Sequence, residues 1–519
     1  MDYRLVGLAA VVGLGLWACG NDPVGTSAGT GSGDGSPATA GPGESTADTD
    51  PADGTAEESE GSGSGSDAPS ILATAVTAGL SRTCALLEDG TVRCWGWEQD
   101  GTLGQTTAVD RCDCIDNAAC CLADDEPLAD LRSVSLGGTV TRVSMGTHHA
   151  CALLEDDTVR CWGFGGAGAL GRGDTETIGD DELPVDVPAL DLGEVVELQV
   201  SSGRGSSSSY QPRHGRHTCA RRADGTVLCW GDGTLGAPGF GHADIIGDDE
   251  SAETLEPLAL RAAVTQLALG GAHTCVRLAD GGVQCWGFNN RSGNLGRGIE
   301  AKSCSTAQSF HCDSPGCCVG HDEATWSELS DVPLGGPATS ISAGAFHTCA
   351  ILEGGDVRCW GSNAGGELGY GHTDDIGDDE VPADVPPLQL SGPAVALSAG
   401  RSHTCALLEG GSVQCWGSNT FGALGYGHTE DIGDDETPMS AGTVRLGGTA
   451  VAIAAGSDHT CALLDDGTLR CFGNNGRAAL GYLHADECYD EAMNHRCEHD
   501  PVCCIGDDDH PEDFPPVPL

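Results

Sequence analysis

Lysine is almost missing from this chain: Lys302 is the only one in 519 residues, and the other bases are arginines. Lys and Arg together number 24 against 78 Asp and Glu, a formal net charge of −54. Affinity for a phosphate backbone comes largely from basic side chains that displace counterions, so this composition argues against DNA or RNA as a partner. It suits polycationic partners or divalent cations instead. Long apolar runs are scarce too. Leu5 to Leu16 is an apolar stretch of 12 residues, too short to span a bilayer comfortably, and no later stretch is long and apolar enough to cross. Catalytic signatures are also lacking. There is no nucleophile elbow, no phosphate loop and no His-Glu-x-x-His zinc motif, so the reading is non-catalytic.

What is present starts with an export signal over residues 1–19. Arg4 precedes the apolar stretch, and Leu16-Trp17-Ala18-Cys19 follows it. That tetrapeptide resembles the bacterial lipobox, although Trp17 departs from the usual small residue. It marks Cys19 for lipidation, which makes the lipid the only membrane anchor. The expected location is the bacterial cell envelope, at the outer membrane or cell surface. Residues 20–69 are nearly all Gly, Ser, Thr, Ala, Pro, Asp and Glu. Such a segment cannot bury enough apolar surface to offset its ordering entropy, so a disordered linker is expected. Its mean reach is roughly 40 Å.

From residue 70 to 519 the sequence repeats itself. One unit reads H-T-C-A-L-L-E-G-G-S-V-Q-C-W-G at 403–417, and R-T-C-A-L-L-E-D-G-T-V-R-C-W-G stands at 82–96. Seven copies occur, with first cysteines at intervals of 67, 68, 56, 74, 56 and 56 residues. Each copy reads as a β-hairpin around an acidic-Gly turn. A three-residue loop with Gly in the left-handed conformation fits Glu88-Asp89-Gly90. That register sets Leu86 opposite Val92 and Cys84 opposite Cys94. Counted from the turn, the cysteines fall at a non-hydrogen-bonded pair, where Cα atoms lie about 4.5 Å apart, within disulfide reach. The predicted bridges are Cys84-Cys94, Cys151-Cys161, Cys219-Cys229, Cys275-Cys285, Cys349-Cys359, Cys405-Cys415 and Cys461-Cys471. A strand before each hairpin and a Pro-x-x-Val/Leu segment after it make about four strands per unit, enough for one propeller blade.

The 27 cysteines are an odd number. The hairpins use 14, and three inserts hold four each: Cys112, Cys114, Cys120, Cys121; Cys304, Cys312, Cys317, Cys318; and Cys488, Cys497, Cys503, Cys504. Cys19 is left over, which supports its lipidation independently. Four cysteines are also a tetrahedral zinc set, but no Cys-x-x-Cys pair occurs and each insert ends in an awkward Cys-Cys doublet. In an oxidising compartment two disulfides per insert are expected, with three possible pairings.

The units resemble regulator of chromosome condensation repeats, which combine G-x-x-H-T/S, D-G-x-V, W-G and x-L-G-x-G. The last element reads Gly366-Glu367-Leu368-Gly369-Tyr370-Gly371 and Gly422-Ala423-Leu424-Gly425-Tyr426-Gly427. The resemblance covers roughly residues 72–519 and implies an all-β, seven-bladed β-propeller. That family includes a chromatin-bound exchange factor for the Ran GTPase, plant photoreceptors, and bacterial propellers that inhibit β-lactamases. This chain departs from the exchange factor by its export signal, its acidity and its paired cysteines. Guanine-nucleotide exchange is therefore not expected of it, and a shared fold does not transfer function.

Three residue sets remain. The run Ile-Gly-Asp-Asp-Glu supplies Asp180, Asp181, Glu182; Asp248, Asp249, Glu250; Asp378, Asp379, Glu380; and Asp434, Asp435, Glu436. Asp124-Asp125-Glu126, Asp322-Glu323 and Asp507-Asp508-Asp509 hold the equivalent place in the insert-bearing units. Hard oxygen ligands in a ring suit Ca²⁺; solvated turn caps are the alternative. His149, His217, His273, His347, His403 and His459 stand two residues before a cysteine, with Arg82 in the first unit. Each lies in a different unit, so a structural hydrogen bond is expected rather than a metal site. Trp95, Trp162, Trp230, Trp286, Trp360 and Trp416, with Phe472, read as blade packing. The most divergent stretch, Ser201 to Gly215, is a Ser- and Arg-rich contact candidate. The expected function is a monomeric recognition scaffold that binds a protein or glycan through its loop face. The alternatives are a calcium-dependent structural envelope component or an extracellular enzyme.

Overall fold

The computed structural model describes residues 11–12, 71–105, 121–122, 128–201, 216–298, 317–322, 329–482 and 504–519. Cys19, the linker 20–69, most of the three cysteine inserts, Ser202 to Gly215, Asp124 to Glu126 and Glu323 lie outside the described residues.

Seven antiparallel sheets follow one another along the chain. Each has an inner, a middle and an outer strand. The first blade uses Ala73–Ala78, Arg82–Leu87 and Val92–Trp97; the second Val140–Met145, His149–Leu154 and Val159–Gly163. The third uses Val195–Val200, His217–Arg222 and Val227–Gly231; the fourth Val264–Leu269, His273–Leu278 and Val283–Phe288. The fifth uses Ala338–Ala343, His347–Leu352 and Val357–Gly361; the sixth Ala394–Ala399, His403–Leu408 and Val413–Gly417. The last uses Ala450–Ala455, His459–Leu464 and Leu469–Asn474. Inner strands of neighbouring blades contact one another in cyclic order, and the seventh returns to the first. The fold is an all-β, seven-bladed propeller. A two-residue strand, Val11–Val12, pairs in parallel with Thr77 and Ala78.

The hairpin register sets Leu86 opposite Val92, Ala85 opposite Arg93 and Cys84 opposite Cys94. The turn is closed by Gly90 N–H to the Leu87 carbonyl at 2.9 Å. Asp89 Oδ1 accepts from Thr91 N at 2.9 Å and from its hydroxyl at 2.7 Å, which holds its carboxyl below the usual range. In the second blade Asp157 takes the left-handed position, φ 67°, that glycine holds in the first; Asp tolerates it better than most residues. All seven hairpin cysteine pairs are disulfides, with Cα atoms 4.0–4.1 Å apart. Cys317, Cys318 and Cys504 are disulfide-bonded as well, which removes them as zinc thiolates.

The Pro-x-x-Val/Leu segment expected as the fourth strand is instead a short 3₁₀ turn, at Pro184–Asp186 and Pro382–Asp384, with Pro511–Asp513 likewise, and the fourth strand lies ahead of it. Among the described residues, only Cys121–Leu122, Cys318–Val319 and Cys504–Ile505 form a ladder on the outer strand. In the other blades Ile178, Ile246, Ile376 and Ile432 make a single bridge to the glycine ending the outer strand. At the far end of that strand a Val or Leu donates one hydrogen bond, as Leu388 N does to the Val357 carbonyl at 2.9 Å. The acidic run and a short turn occupy the stretch between, so regular pairing is interrupted there.

Candidate functional site

In an antiparallel blade, the inner-to-middle turn and the loop leaving the outer strand share one end; the hairpin turn lies at the other. The first end carries the histidines, the described acidic runs and the short strands Cys121–Leu122, Cys318–Val319 and Cys504–Ile505.

Each histidine crosses to the next blade. His149 Nε2 lies 2.6 Å from the Thr218 hydroxyl, His217 2.8 Å from Thr274, and His273 2.9 Å from Thr348. His347 meets Thr404 at 2.8 Å, His403 meets Thr460 at 2.9 Å, and His459 meets Thr83 at 3.0 Å. Burial holds these imidazoles neutral, pushing them down to about 3 or 4. In blades 4 to 7 the glycine three residues earlier makes room. A Cβ on Gly400 would lie 2.5 Å from His403 Cε1, and one on Gly456 2.4 Å from that of His459. This accounts for the G-x-x-H spacing. The histidines are structural latches.

The tryptophans make a second set of crossings. All six are fully buried, and each indole N–H donates to a carbonyl in the preceding blade, at the first residue of x-L-G or, in blade 3, of Ala237-Pro238-Gly239. Trp162 reaches Thr102, Trp230 reaches Ala169 and Trp286 reaches Ala237, all at 2.9 Å. Trp416 reaches Glu367 at 2.9 Å, and Trp95 reaches Ala479 of the last blade at 3.1 Å.

The same x-L-G turn packs on the acidic run of the following blade. A Cβ on Gly101 would lie 2.7 Å from Asp180 N, and one on Gly366 2.6 Å from Asp434 N. The runs therefore recur at one station around the ring. In Asp180-Asp181-Glu182, Asp248-Asp249-Glu250, Asp378-Asp379-Glu380, Asp434-Asp435-Glu436 and Asp507-Asp508-Asp509, one oxygen from each carboxylate lies within 4.8 Å of the others. Partial burial, then a hydrogen bond to the adjacent aspartate, raises Glu182, Glu380 and Glu436 to about 7. Glu250 is raised for the same reasons. Burial lifts Asp507 to about 6.

The repeat breaks at one place. At the seam between the first and second blades, Arg82 replaces the histidine and Ala150 replaces the threonine, so both halves of the latch change together. Arg82 instead donates to the Thr147 carbonyl at 2.6 Å and the Trp97 carbonyl at 3.0 Å. Burial draws its guanidinium down to about 10, against the pull of Glu98 and Asp100. Glu98 occupies the place held by Asn363, Asn419 and Asn475 in later blades. Its Oε2 accepts from Leu103 N at 2.9 Å, as Asn363 Oδ1 accepts from Leu368 N at 2.9 Å. Burial raises Glu98 to about 7. Two aromatic rings flank this seam. Trp97 carries Arg477 at 3.7 Å and Arg82 at 5.6 Å from its ring centroid. Phe164 carries Arg216 at 4.3 Å, with the His148 ring 6.2 Å away. Arg216 adjoins the divergent segment noted in the sequence. The Glu98 and Ala150 departures were visible as breaks in the repeat, but only the contacts show what they do.

The Regulator of chromosome condensation (RCC1) repeat model matches residues 73–102, 140–169, 215–237, 264–293, 338–367, 394–423 and 450–478, and a second model of that repeat matches 354–407 and 410–463. Ultraviolet-B receptor UVR8 of Arabidopsis thaliana is 30% identical over 379 residues, 71% of each chain. E3 ubiquitin-protein ligase HERC2 of Homo sapiens is 26% identical over 394 residues, 76% of this chain but 7% of HERC2. Among solved structures, yeast RCC1 (Prp20) bound to Kap60 matches with TM-score 0.54 at 18% identity, covering 80% of this chain and 82% of that one. With one repeat match in every blade and a relative aligned over most of its length, this chain belongs to the RCC1 repeat family.

Proposed function

We propose that this propeller is a non-catalytic recognition scaffold that binds a protein partner at the loop end of blades 7, 1, 2 and 3. The observation that carries this reading is the local break in sevenfold regularity. Arg82, Glu98 and Trp97 gather in blade 1, with Arg477 of blade 7 over Trp97, and Phe164 of blade 2 carries Arg216 of blade 3. Aromatic and arginine side chains are enriched among residues that dominate protein interfaces. Latches and packing tryptophans account for the regular part of the ring, which leaves the irregular part for a specific contact. That the related yeast propeller was crystallised with Kap60 supports a protein partner.

The export signal and Cys19 support placement in a bacterial envelope, tethered by lipid. The disulfides support an oxidising compartment. The test uses the mature, oxidised protein as bait against envelope fractions. A saturable stoichiometric protein partner, lost on Trp97→Ala, is expected. A glycan captured in its place would replace the protein reading, and no partner at all would contradict the scaffold reading.

A second reading is favoured by the carboxylate triads. Oxygens within 4.8 Å of one another match the span between ligands of one Ca²⁺ at about 2.4 Å each. On this reading calcium stabilises the loop end as a structural envelope component. A melting temperature unchanged between calcium and chelator would contradict it.

A further inference from the structure

The opposite end of the blades holds a feature that neither reading uses. The third residue of each inner strand, just after a β-bulge, pairs with the fifth residue of the middle strand. In blades 1, 6 and 7 this pair is small and apolar: Ala75 with Leu86, Ala396 with Leu407, and Ala452 with Leu463. In blades 3 and 4 it is Glu197 with Arg221 and Gln266 with Arg277. In blade 2 the inner-strand member is Arg142, opposite Leu153.

One buried carboxylate thus has an arginine opposite it and two more arginines on the neighbouring blades. Glu197 is 5% exposed. Its Oε2 pairs with Arg221 Nε at 2.7 Å, and its Oε1 accepts from Leu267 N in the next inner strand at 3.0 Å. Both oxygens are therefore engaged. Arg142 and Arg277 also lie in the field of Glu197. Arg277 Nε is buried and has no hydrogen-bond partner. Burying a charged donor without an acceptor is costly, and Leu or Ile stands at the place of Arg277 in blades 1, 2, 5, 6 and 7. A structural role for Glu197 needs only Arg221. The excess of two positive groups, in a chain of net charge −54, calls for an anion.

We infer that Arg142, Arg221 and Arg277 form an oxyanion site at the hairpin-turn end of blades 2 to 4, binding a carboxylate or phosphate group. Guanidiniums match both groups with forked hydrogen bonds. Arg221, held by Glu197, supplies a fixed positive wall, while Arg142 and Arg277 supply the free donors. The site lies away from the loop end, so it stands or falls independently of the scaffold reading.

The test is isothermal titration of the mature, oxidised protein with inorganic phosphate and, separately, with succinate, at ionic strength held constant with sodium chloride. Saturable binding of one or both anions is expected, and the stronger of the two names the group. Arg142→Ala and Arg277→Leu should each weaken it at least about tenfold, the usual loss for a hydrogen bond to a charged group. Both variants install residue types that sister blades already carry at these positions, and melting of the unreduced proteins checks that they fold. No binding beyond that of chloride, or equal binding by both variants and wild type, would overturn the site.

Discussion

The hydroxyl of Thr83, in the first blade, lies 3.0 Å from Nε2 of His459 in the last. The same hydroxyl donates to the Ala479 carbonyl at 2.8 Å, where Trp95 Nε1 also donates at 3.1 Å. These contacts join the two ends of a seven-blade array with the latch used between blades 2 to 7. Thr83→Val removes the hydroxyl while nearly preserving shape, and leaves His459 buried without its partner. The expected loss is about 1–3 kcal/mol, read by denaturant unfolding. An unchanged midpoint would show that this seam does not depend on the latch.

The glycine three residues before the latch histidine in blades 4 to 7 sets a steric limit. A Cβ on Gly456 would lie 2.4 Å from His459 Cε1 and 2.8 Å from the Gly79 carbonyl oxygen. Gly456→Ala should therefore destabilise by about 1–3 kcal/mol, the usual range for overpacking. Gly392 has nothing within 4 Å of an added Cβ, so Gly392→Ala should change little. Thermal melts of the two variants make the comparison.

The altered seam predicts coupling. Arg82→His alone places a histidine opposite Ala150, and Ala150→Thr alone places a hydroxyl opposite Arg82. Each should destabilise. The double variant rebuilds the pair found at the other seams and should recover about 1 kcal/mol or more over the sum of the single changes. Additive effects in a double-mutant cycle would contradict this account of the seam.

Stability should fall with acid. The six latch histidines have folded pKa values of about 3 or 4, below the ordinary 6.5. A lowered basic pKa means that the unfolded chain takes up protons first. Their contribution is complete above pH 6.5 and declines as pH falls toward the folded values. Glu182, Glu380 and Glu436, raised to about 7, act oppositely: they favour the folded state at lower pH and lose that contribution as pH rises through 7. These carboxylates are far more exposed, so solvent weakens their effect. Melting temperature is expected to drop from pH 7 to pH 4, and more gently in His403→Gln. A flat or rising profile would contradict neutral buried latches.

Much of this was legible in the sequence because period-two strands, turn residues and cysteine spacing are local properties. The Cys84–Cys94 register follows from a three-residue turn, and the structure pairs the same residues. The place of the fourth strand was not legible. The Pro-x-x-Val segment expected there is a 3₁₀ turn at Pro382–Asp384, because proline withholds a ladder donor, and Ile376 ahead of it makes the bridge to Gly361. Partners between blades were hidden as well. His403 and Thr460 stand 57 residues apart, and no local pattern says that one meets the other. The oxyanion cluster was hidden for the same reason, since Arg142, Arg221 and Arg277 come from three blades and read singly as surface charges.

The most direct measurement is the dissociation constant of the captured envelope partner for wild type, Trp97→Ala and Val395→Ala. Val395 is 55% exposed on an inner strand, away from the altered seam. If the loop end of blades 7, 1, 2 and 3 is the recognition site, Trp97→Ala should weaken binding about thirtyfold, as loss of an interface hot spot does, while Val395→Ala should leave it unchanged. Equal affinities for all three proteins would contradict the assignment of the site.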